Sequence, residues 1–141
     1  MELTEGRRAP DRVLVVLAVI ALVEGLALLG YSVYDTVEAI RIGATGPADV
    51  SNGPAIAIQI LIFVIFGAGL VAVAYGWWTA RRWARGPFVL AQLFALVVGW
   101  PLAGAAGQVE HWAGVALVVM AVVGVVVAMT PAVSRAVGST D

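Results

Sequence analysis

The chain has no cysteine, no lysine and a single histidine, His111, among its 141 residues. The lack of cysteine excludes disulfides, thiol nucleophiles and thiolate-bound metal clusters. One histidine also excludes a haem held between two histidines of the same chain. The formal net charge is −1, so the charge of the whole chain predicts no nucleic-acid partner. No cofactor, metal site or catalytic residue is expected.

Charged residues are also scarce, at 12%, whereas 62% of the residues are hydrophobic. A soluble domain typically has about 25% charged and about 45–50% apolar residues. The apolar residues fall in four blocks, at 13–34, 55–78, 87–106 and 112–130. Each block is about 20 residues long, the length at which a helix crosses a bilayer. The sequence therefore predicts an all-α integral membrane protein, in which residues 1–141 form one four-helix bundle.

Three connections join these predicted helices: an outer loop at 35–54, a cytoplasmic turn at 79–86 and an outer turn at 107–111. An alternative for Asp35–Ile42 is that it continues the first helix, since Glu38 and Arg41 then pair at i, i+3. The first block is too long for the apolar region of a signal peptide, so we expect a retained helix.

The distribution of arginine predicts the orientation. Arg41 alone lies on the side of the outer loop, and the opposite side carries the other seven: Arg7, Arg8, Arg12, Arg81, Arg82, Arg85 and Arg135. Because positive residues stay inside, both ends of the chain are expected in the cytoplasm. Arginine without lysine, in a chain rich in Ala, Val and Gly, indicates a GC-rich bacterial genome and hence the bacterial plasma membrane.

Glu24 is the sharpest candidate for a functional residue, because it lies near the centre of the first apolar block. A charged side chain at that depth costs about 2.5–3.5 kcal/mol or more, so intramembrane acids usually face the bundle interior. We expect Glu24 to be protonated and inward-facing, on one helix face with Tyr31. Gln59 and Gln92 both lie at heights from which they can reach it. The alternatives are a proton or cation site and a polar contact between helices.

Small residues recur every four positions in two of the apolar blocks. One stripe comprises Ala91, Ala95, Gly99, Ala103 and Gly107, and the other comprises Ala68, Ala72 and Gly76. Such stripes let helix backbones approach closely in lipid. They predict packing within the bundle, or alternatively a seam for a second copy or another protein.

The cytoplasmic turn combines tryptophan with arginine: Trp77, Trp78, Arg81, Arg82, Trp83 and Arg85. Aromatic belts and positive-inside charge account for this composition, so we expect interfacial residues. Binding of anionic head groups is the alternative, although dedicated sites usually have four to eight basic residues.

Elsewhere, Pro101 predicts a kink in the third helix, and His111 is expected to be an exposed turn residue.

The same turn carries a resemblance. Arg82-Trp83-Ala84-Arg85-Gly86-Pro87, followed by Gln92-Leu93 and Trp100, resembles a conserved hypothetical family of small actinobacterial integral membrane proteins. The resemblance covers about 20 residues and implies the four-helix fold and the membrane location. It implies no activity and no site residue. Small multidrug transporters also have four helices and a glutamate in the first, but the long outer loop and the arginine bias argue against membership.

Two functions remain in consideration. The first is a structural or accessory membrane protein that acts through helix contacts with itself or a larger membrane complex. The second is a minimal proton-linked transporter or channel centred on Glu24. An enzyme is not expected, because the sequence shows no nucleophile–base pair, metal cluster or phosphate-binding loop.

Overall fold

The computed structural model describes residues 11–42 and 53–138, and every element in these ranges is helical. The elements are α1 (Arg12–Ile42), α2 (Gly53–Trp78), a short 3₁₀ helix (Arg82–Ala84), α3 (Arg85–Ala103), α4 (Gln108–Ala128) and α5 (Pro131–Gly138). Helices α1 to α4 are long and apolar enough to cross a membrane. The predicted all-α class and the four apolar spans are confirmed to that extent.

The first helix is longer than the apolar block from which it was predicted. It continues beyond Tyr34 to Ile42, so the prediction of a loop from residue 35 is wrong over this stretch and the alternative of a continued helix is right. Side chains hydrogen-bond along this extension: Thr36 Oγ1 donates to Ser32 O at 2.7 Å. The rest of the outer connection, 43–52, lies outside the described residues, as do Arg7 and Arg8.

The bounds at the second pair of helices also differ from prediction. Helix α3 ends at Ala103 rather than at 106, two residues after Pro101, and Gly104 caps it. Proline removes a backbone donor, so Pro101 is in the last turn of α3 instead of at a kink within a longer helix. Helix α4 begins at Gln108, before the predicted 112, with Gly107 as its N-cap. Helix α5 has no counterpart among the predicted helices.

The four long helices form two antiparallel hairpins, which we call hairpin 1 (α1 and α2) and hairpin 2 (α3 and α4). In hairpin 1, a Cβ at Gly25 would lie 2.8 Å from Gly67 O, so the backbones cross at glycine. In hairpin 2, a Cβ at Gly99 would lie 2.9 Å from Val118 Cγ2 and 3.4 Å from Gly114 O. Small residues therefore permit close backbone approach inside both hairpins.

The two hairpins meet mainly at one end of the molecule. It contains the start of α1, the α2–α3 turn, the end of α4 and the whole of α5. We call it the arginine end, because these segments carry Arg12, Arg81, Arg82, Arg85 and Arg135. Most buried residues of the described chain lie toward this end, and the large buried side chains include Leu14, Leu17, Trp77, Phe88 and Val133. The opposite half has few buried residues, and there Gly99 and Gly114 pack inside hairpin 2 rather than between hairpins.

The turn that joins the hairpins has a Schellman geometry. Ala80 has a φ of 53°, its N–H donates to Trp77 O at 3.1 Å, and Arg81 N–H donates to Gly76 O at 2.7 Å. These two hydrogen bonds satisfy carbonyl groups in the last turn of α2. The left-handed residue, Ala80, occupies the position that is usually glycine in this motif. The turn thereby directs the 3₁₀ helix and α3 back along α2.

Candidate functional site

Glu24 and Gln92 form a hydrogen bond that joins the two hairpins. Gln92 Nε2 donates to Glu24 Oε2 at 2.7 Å. Glu24 is 7% exposed and Gln92 is fully buried. The structure thus places Glu24 of α1 in the interior and selects Gln92 of α3 as its partner.

Helix α4 contributes the third side of this site through a glycine. A Cβ at Gly124 would lie 3.2 Å from Gln92 Cδ and Oε1, and 3.2 Å from Phe88 Cζ. The missing side chain leaves room for the Gln92 carboxamide to lie against α4. Sequence reasoning missed Gly124, although Gly114, Ala121, Gly124 and Ala128 form a small-residue row at intervals of seven, three and four.

The pair leaves two acceptor oxygens without a partner. Glu24 Oε1 and Gln92 Oε1 are both buried and form no hydrogen bond in the structure. An ionised carboxylate only accepts hydrogen bonds, whereas a protonated one also donates. A proton on Glu24 Oε1 supplies a donor for which the free oxygen of Gln92 is the matching acceptor. The two side chains therefore carry the donors and acceptors of a carboxylic acid–carboxamide pair, with one of the hydrogen bonds formed.

The other two predicted polar candidates lie elsewhere. Gln59 is exposed, and its Nε2 donates to Asp35 Oδ2 at 2.9 Å rather than to Glu24. Tyr31 is 51% exposed and packs edge-on against Phe63, with ring centroids 5.6 Å apart. Both belong to the opposite half of hairpin 1. Gln59 is therefore not the partner of Glu24, although its height is compatible, and Tyr31 is not on the buried face of α1 that holds Glu24.

Trp77 is the clearest departure among the predicted interfacial residues. It is fully buried, packs edge-on against Phe88 with ring centroids 5.7 Å apart, and its Nε1 has no hydrogen-bond partner. Interfacial tryptophans normally keep this N–H in contact with water or head groups. Trp78 and Trp83 are 55% and 52% exposed, as an interfacial position requires. Trp77 instead joins the two hairpins at the arginine end.

The small-residue stripes are only partly in contact regions. On α3, Gly99 is buried and Ala91, Ala95 and Ala103 are half-buried, but Gly107 lies beyond the helix and is exposed. On α2, Ala68 and Ala72 are exposed, so that part of the predicted stripe does not pack within the described bundle. The alternative, a seam for a second copy or another protein, stays a prediction.

The packed face of α2 comprises Gly67, Leu70, Val73, Ala74, Gly76 and Trp77. Gly76 contacts the adjoining turn, since a Cβ there would lie 2.8 Å from Ala84 Cβ. Fourfold spacing alone could not identify this face, because a helix with apolar residues on every side has no polar face to orient it.

His111 is half-buried rather than exposed. Its Nδ1 lies 2.5 Å from Ala103 O, in the last turn of α3. The side chain thus ties the start of α4 to the end of α3. In the ranges 11–42 and 53–138, no three His, Asp or Glu side chains come together as a candidate metal site.

Comparison with protein-family models, with curated proteins and with solved structures finds no match for this chain. The resemblance to actinobacterial membrane proteins therefore stays a prediction.

Proposed function

We propose that this chain is a multi-pass protein of the bacterial plasma membrane that acts as a structural or accessory component. It has both ends in the cytoplasm, and its partners are the bilayer and either a second copy or a larger membrane complex. The observation that carries the proposal is the Glu24–Gln92 hydrogen bond, which uses the central acid of α1 to join the hairpins. Its geometry matches a polar contact between helices in lipid.

The surroundings of the pair support this role. The carboxamide of Gln92 is packed against Gly124, and the buried Trp77 and Phe88 pack edge-on one helical turn closer to the arginine end. Two described pockets lie elsewhere: one is lined by residues of α3 and α4 such as Trp100 and Val118, and the other by residues of the turn and α5. Neither is lined by Glu24 or Gln92.

A proton-linked transporter or channel is the second candidate, and the two unpartnered oxygens favour it. Protonation gives a buried acid a donor that its ionised form lacks, and intramembrane acids of this kind occur in proton relays. The two functions differ in whether water reaches Glu24. A structural pair stays dry, whereas a transporter hydrates Glu24 from at least one side.

Replacement of Glu24 by glutamine and by leucine separates these functions. In the structural role, Glu24→Gln keeps stability near that of the wild type, because the amide preserves the shape and most hydrogen bonds of a protonated acid. Glu24→Leu leaves Gln92 without its partner and destabilises the fold by about 1–3 kcal/mol. Thermal unfolding of the purified protein in detergent measures both effects.

Proton flux in liposomes decides between the functions. Wild type and Glu24→Gln are reconstituted with an internal pH dye, and empty liposomes provide the control. The accessory role predicts no protein-dependent proton flux in either sample. Flux in the wild type that disappears in Glu24→Gln would instead establish the proton-linked function.

The proposed orientation has its own test, since the membrane sides follow from the arginine count alone. Cysteines introduced at Asp49 and Ser139, both outside the described residues, are exposed to a membrane-impermeant thiol reagent in intact cells. We expect labelling at Asp49 and none at Ser139. The reverse pattern would place both ends of the chain outside.

A further inference from the structure

A second pocket lies at the arginine end, between the α2–α3 turn and α5. It has a volume of about 200 Å³ and is lined by Arg82, Arg85, Val133, Ser134 and Val137. The two arginines and the residues of α5 are about 50 positions apart in the chain, so the pocket exists only because α5 folds back onto the turn. The sequence predicted the basic turn but not this opposing wall.

The Arg85 guanidinium is positioned by neutral groups. Its Nη1 donates to Ser134 Oγ at 3.2 Å, and its Nη2 lies 3.9 Å from Met129 Sδ. A hydroxyl and a thioether orient the side chain without neutralising its charge. Arg82, three residues earlier on the same short turn, also lines the pocket. Two arginines and one serine thus line one small cavity, and guanidinium and hydroxyl groups are donors that suit a phosphate.

The rest of the lining indicates the source of the phosphate. Val133 and Val137 form an apolar wall, and both are buried, with Val133 at 0% exposure. The exposed Trp78 and Trp83 belong to the same end of the molecule, where α2 ends and α3 begins. A phosphate beside apolar surface at the end of membrane spans is the chemistry of a phospholipid head group. Arg81, at the start of the 3₁₀ helix, and Arg135, in α5, add positive charge at the same end of the molecule, which disfavours head groups that carry an ammonium.

We propose that this pocket binds the phosphate of an anionic glycerophospholipid such as phosphatidylglycerol. Arg82 and Arg85 supply the charged donors, and Ser134 holds Arg85 in place. The proposal requires insertion into a bilayer but does not depend on the role of Glu24. Lipid binding and the function of Glu24 can therefore fail separately.

Native mass spectrometry of the purified full-length chain in detergent tests the selectivity directly. The wild type is titrated with phosphatidylglycerol and, separately, with phosphatidylcholine of the same acyl chains. We expect the first phosphatidylglycerol molecule to bind at least tenfold more tightly. Equal affinity for the two lipids in the wild type would overturn the proposal, without reliance on any variant.

Two double variants locate the site. Arg82→Gln/Arg85→Gln removes both charges from the pocket, and we expect phosphatidylglycerol to bind roughly thirtyfold more weakly, since each basic residue near the surface contributes about fivefold. Arg81→Gln/Arg135→Gln is the matched control, because it removes two charges from the same end but outside the pocket lining. Equal losses in both variants would show a diffuse charge effect and contradict a defined site.

A further arm distinguishes a lipid head group from free phosphate. Thermal stability is measured in phosphatidylcholine nanodiscs with added inorganic phosphate, and in nanodiscs that contain phosphatidylglycerol. A lipid site predicts stabilisation by phosphatidylglycerol that requires Arg82 and Arg85, with no comparable effect of inorganic phosphate. Stabilisation by inorganic phosphate alone, through the same two arginines, would overturn the assignment to lipid.

Discussion

Contact within the hairpins differs in kind from contact between them. Within each hairpin, backbones approach at glycines, as where Gly25 meets Gly67 and where Gly114 meets Leu102 and Ala103. Between the hairpins, contact depends on side chains, chiefly Trp77 against Phe88 and Glu24 against Gln92. Each hairpin is thus held together by close backbone packing, whereas the association of the two hairpins depends on a few side chains near the arginine end.

This difference follows from the solvent. Lipid tails are as apolar as leucine, so helices in a membrane associate through close packing and hydrogen bonds rather than through the hydrophobic effect. Glycine crossings bring many backbone atoms into van der Waals contact. Side-chain contacts between the hairpins involve fewer atoms. A single substitution there therefore removes a larger share of the contact and should cause a larger loss of stability. Four substitution experiments test the comparison, from the largest expected effect to the smallest.

Trp77→Ala should produce the largest loss of stability. Removal of a fully buried indole leaves a cavity between the hairpins and costs about 3 kcal/mol or more of the free energy of unfolding. Trp78→Ala is the matched control, because Trp78 is 55% exposed and surface changes usually stay within about 0.5 kcal/mol. Unfolding in mild detergent by added denaturant measures both. Similar losses in the two variants would show that Trp77 does not join the hairpins.

Gly114→Ala should disrupt hairpin 2 from within. The added Cβ would overlap the backbone of Ala103 and Leu102, and relief of such overlap typically costs about 1–3 kcal/mol. Gly69→Ala adds the same methyl group on α2, where nothing lies within 4 Å. That control should be neutral or stabilising by up to about 1 kcal/mol, because alanine favours helix. Thermal unfolding compares them; a harmless Gly114→Ala would contradict the close crossing.

A double-mutant cycle on Glu24 and Gln92 should give a moderate coupling. Polar contacts between membrane helices average about 0.6 kcal/mol and reach at most about 2 kcal/mol. The cycle uses Glu24→Ala, Gln92→Ala and the double variant, with the free energy of unfolding as the readout. The exposed Asp35–Gln59 pair of hairpin 1 provides the comparison and should couple more weakly. A coupling energy of zero between Glu24 and Gln92 would contradict a stabilising polar contact between the hairpins.

Ala80→Gly should have the smallest effect, and it should be stabilising. Ala80 holds a φ of 53°, and a left-handed residue other than glycine costs about 1–2 kcal/mol. Glycine relieves this strain but loses more entropy on folding, so the net gain is about 0.5 kcal/mol. Ala84→Gly, in the adjacent 3₁₀ helix, removes a buried methyl group and should destabilise instead. A loss of stability in Ala80→Gly, measured by thermal unfolding, would contradict the strained turn.

Residues of the polar site show how far sequence reasoning extends. The depth of Glu24 in an apolar block indicated an inward-facing side chain, and the heights of Gln59 and Gln92 made both candidates. The structure separates them, since Gln92 bonds to Glu24 and Gln59 bonds to Asp35. Depth follows from counting residues along a helix. The rotation of each helix about its axis depends on which neighbour each face meets. Four helices that are apolar on every side have no polar face from which this rotation can be predicted.

The sequence by itself determined that this chain has four helices of membrane-spanning length, because the bilayer fixes both the number of apolar residues a span needs and the scarcity of charge within it. The tertiary structure alone decided that Trp77 is buried, that Gln92 is the partner of Glu24, and that α5 closes a basic pocket over the turn. Each of these depends on which helix faces meet, and that is settled by the fit of glycines and side chains between neighbouring helices rather than by their hydropathy.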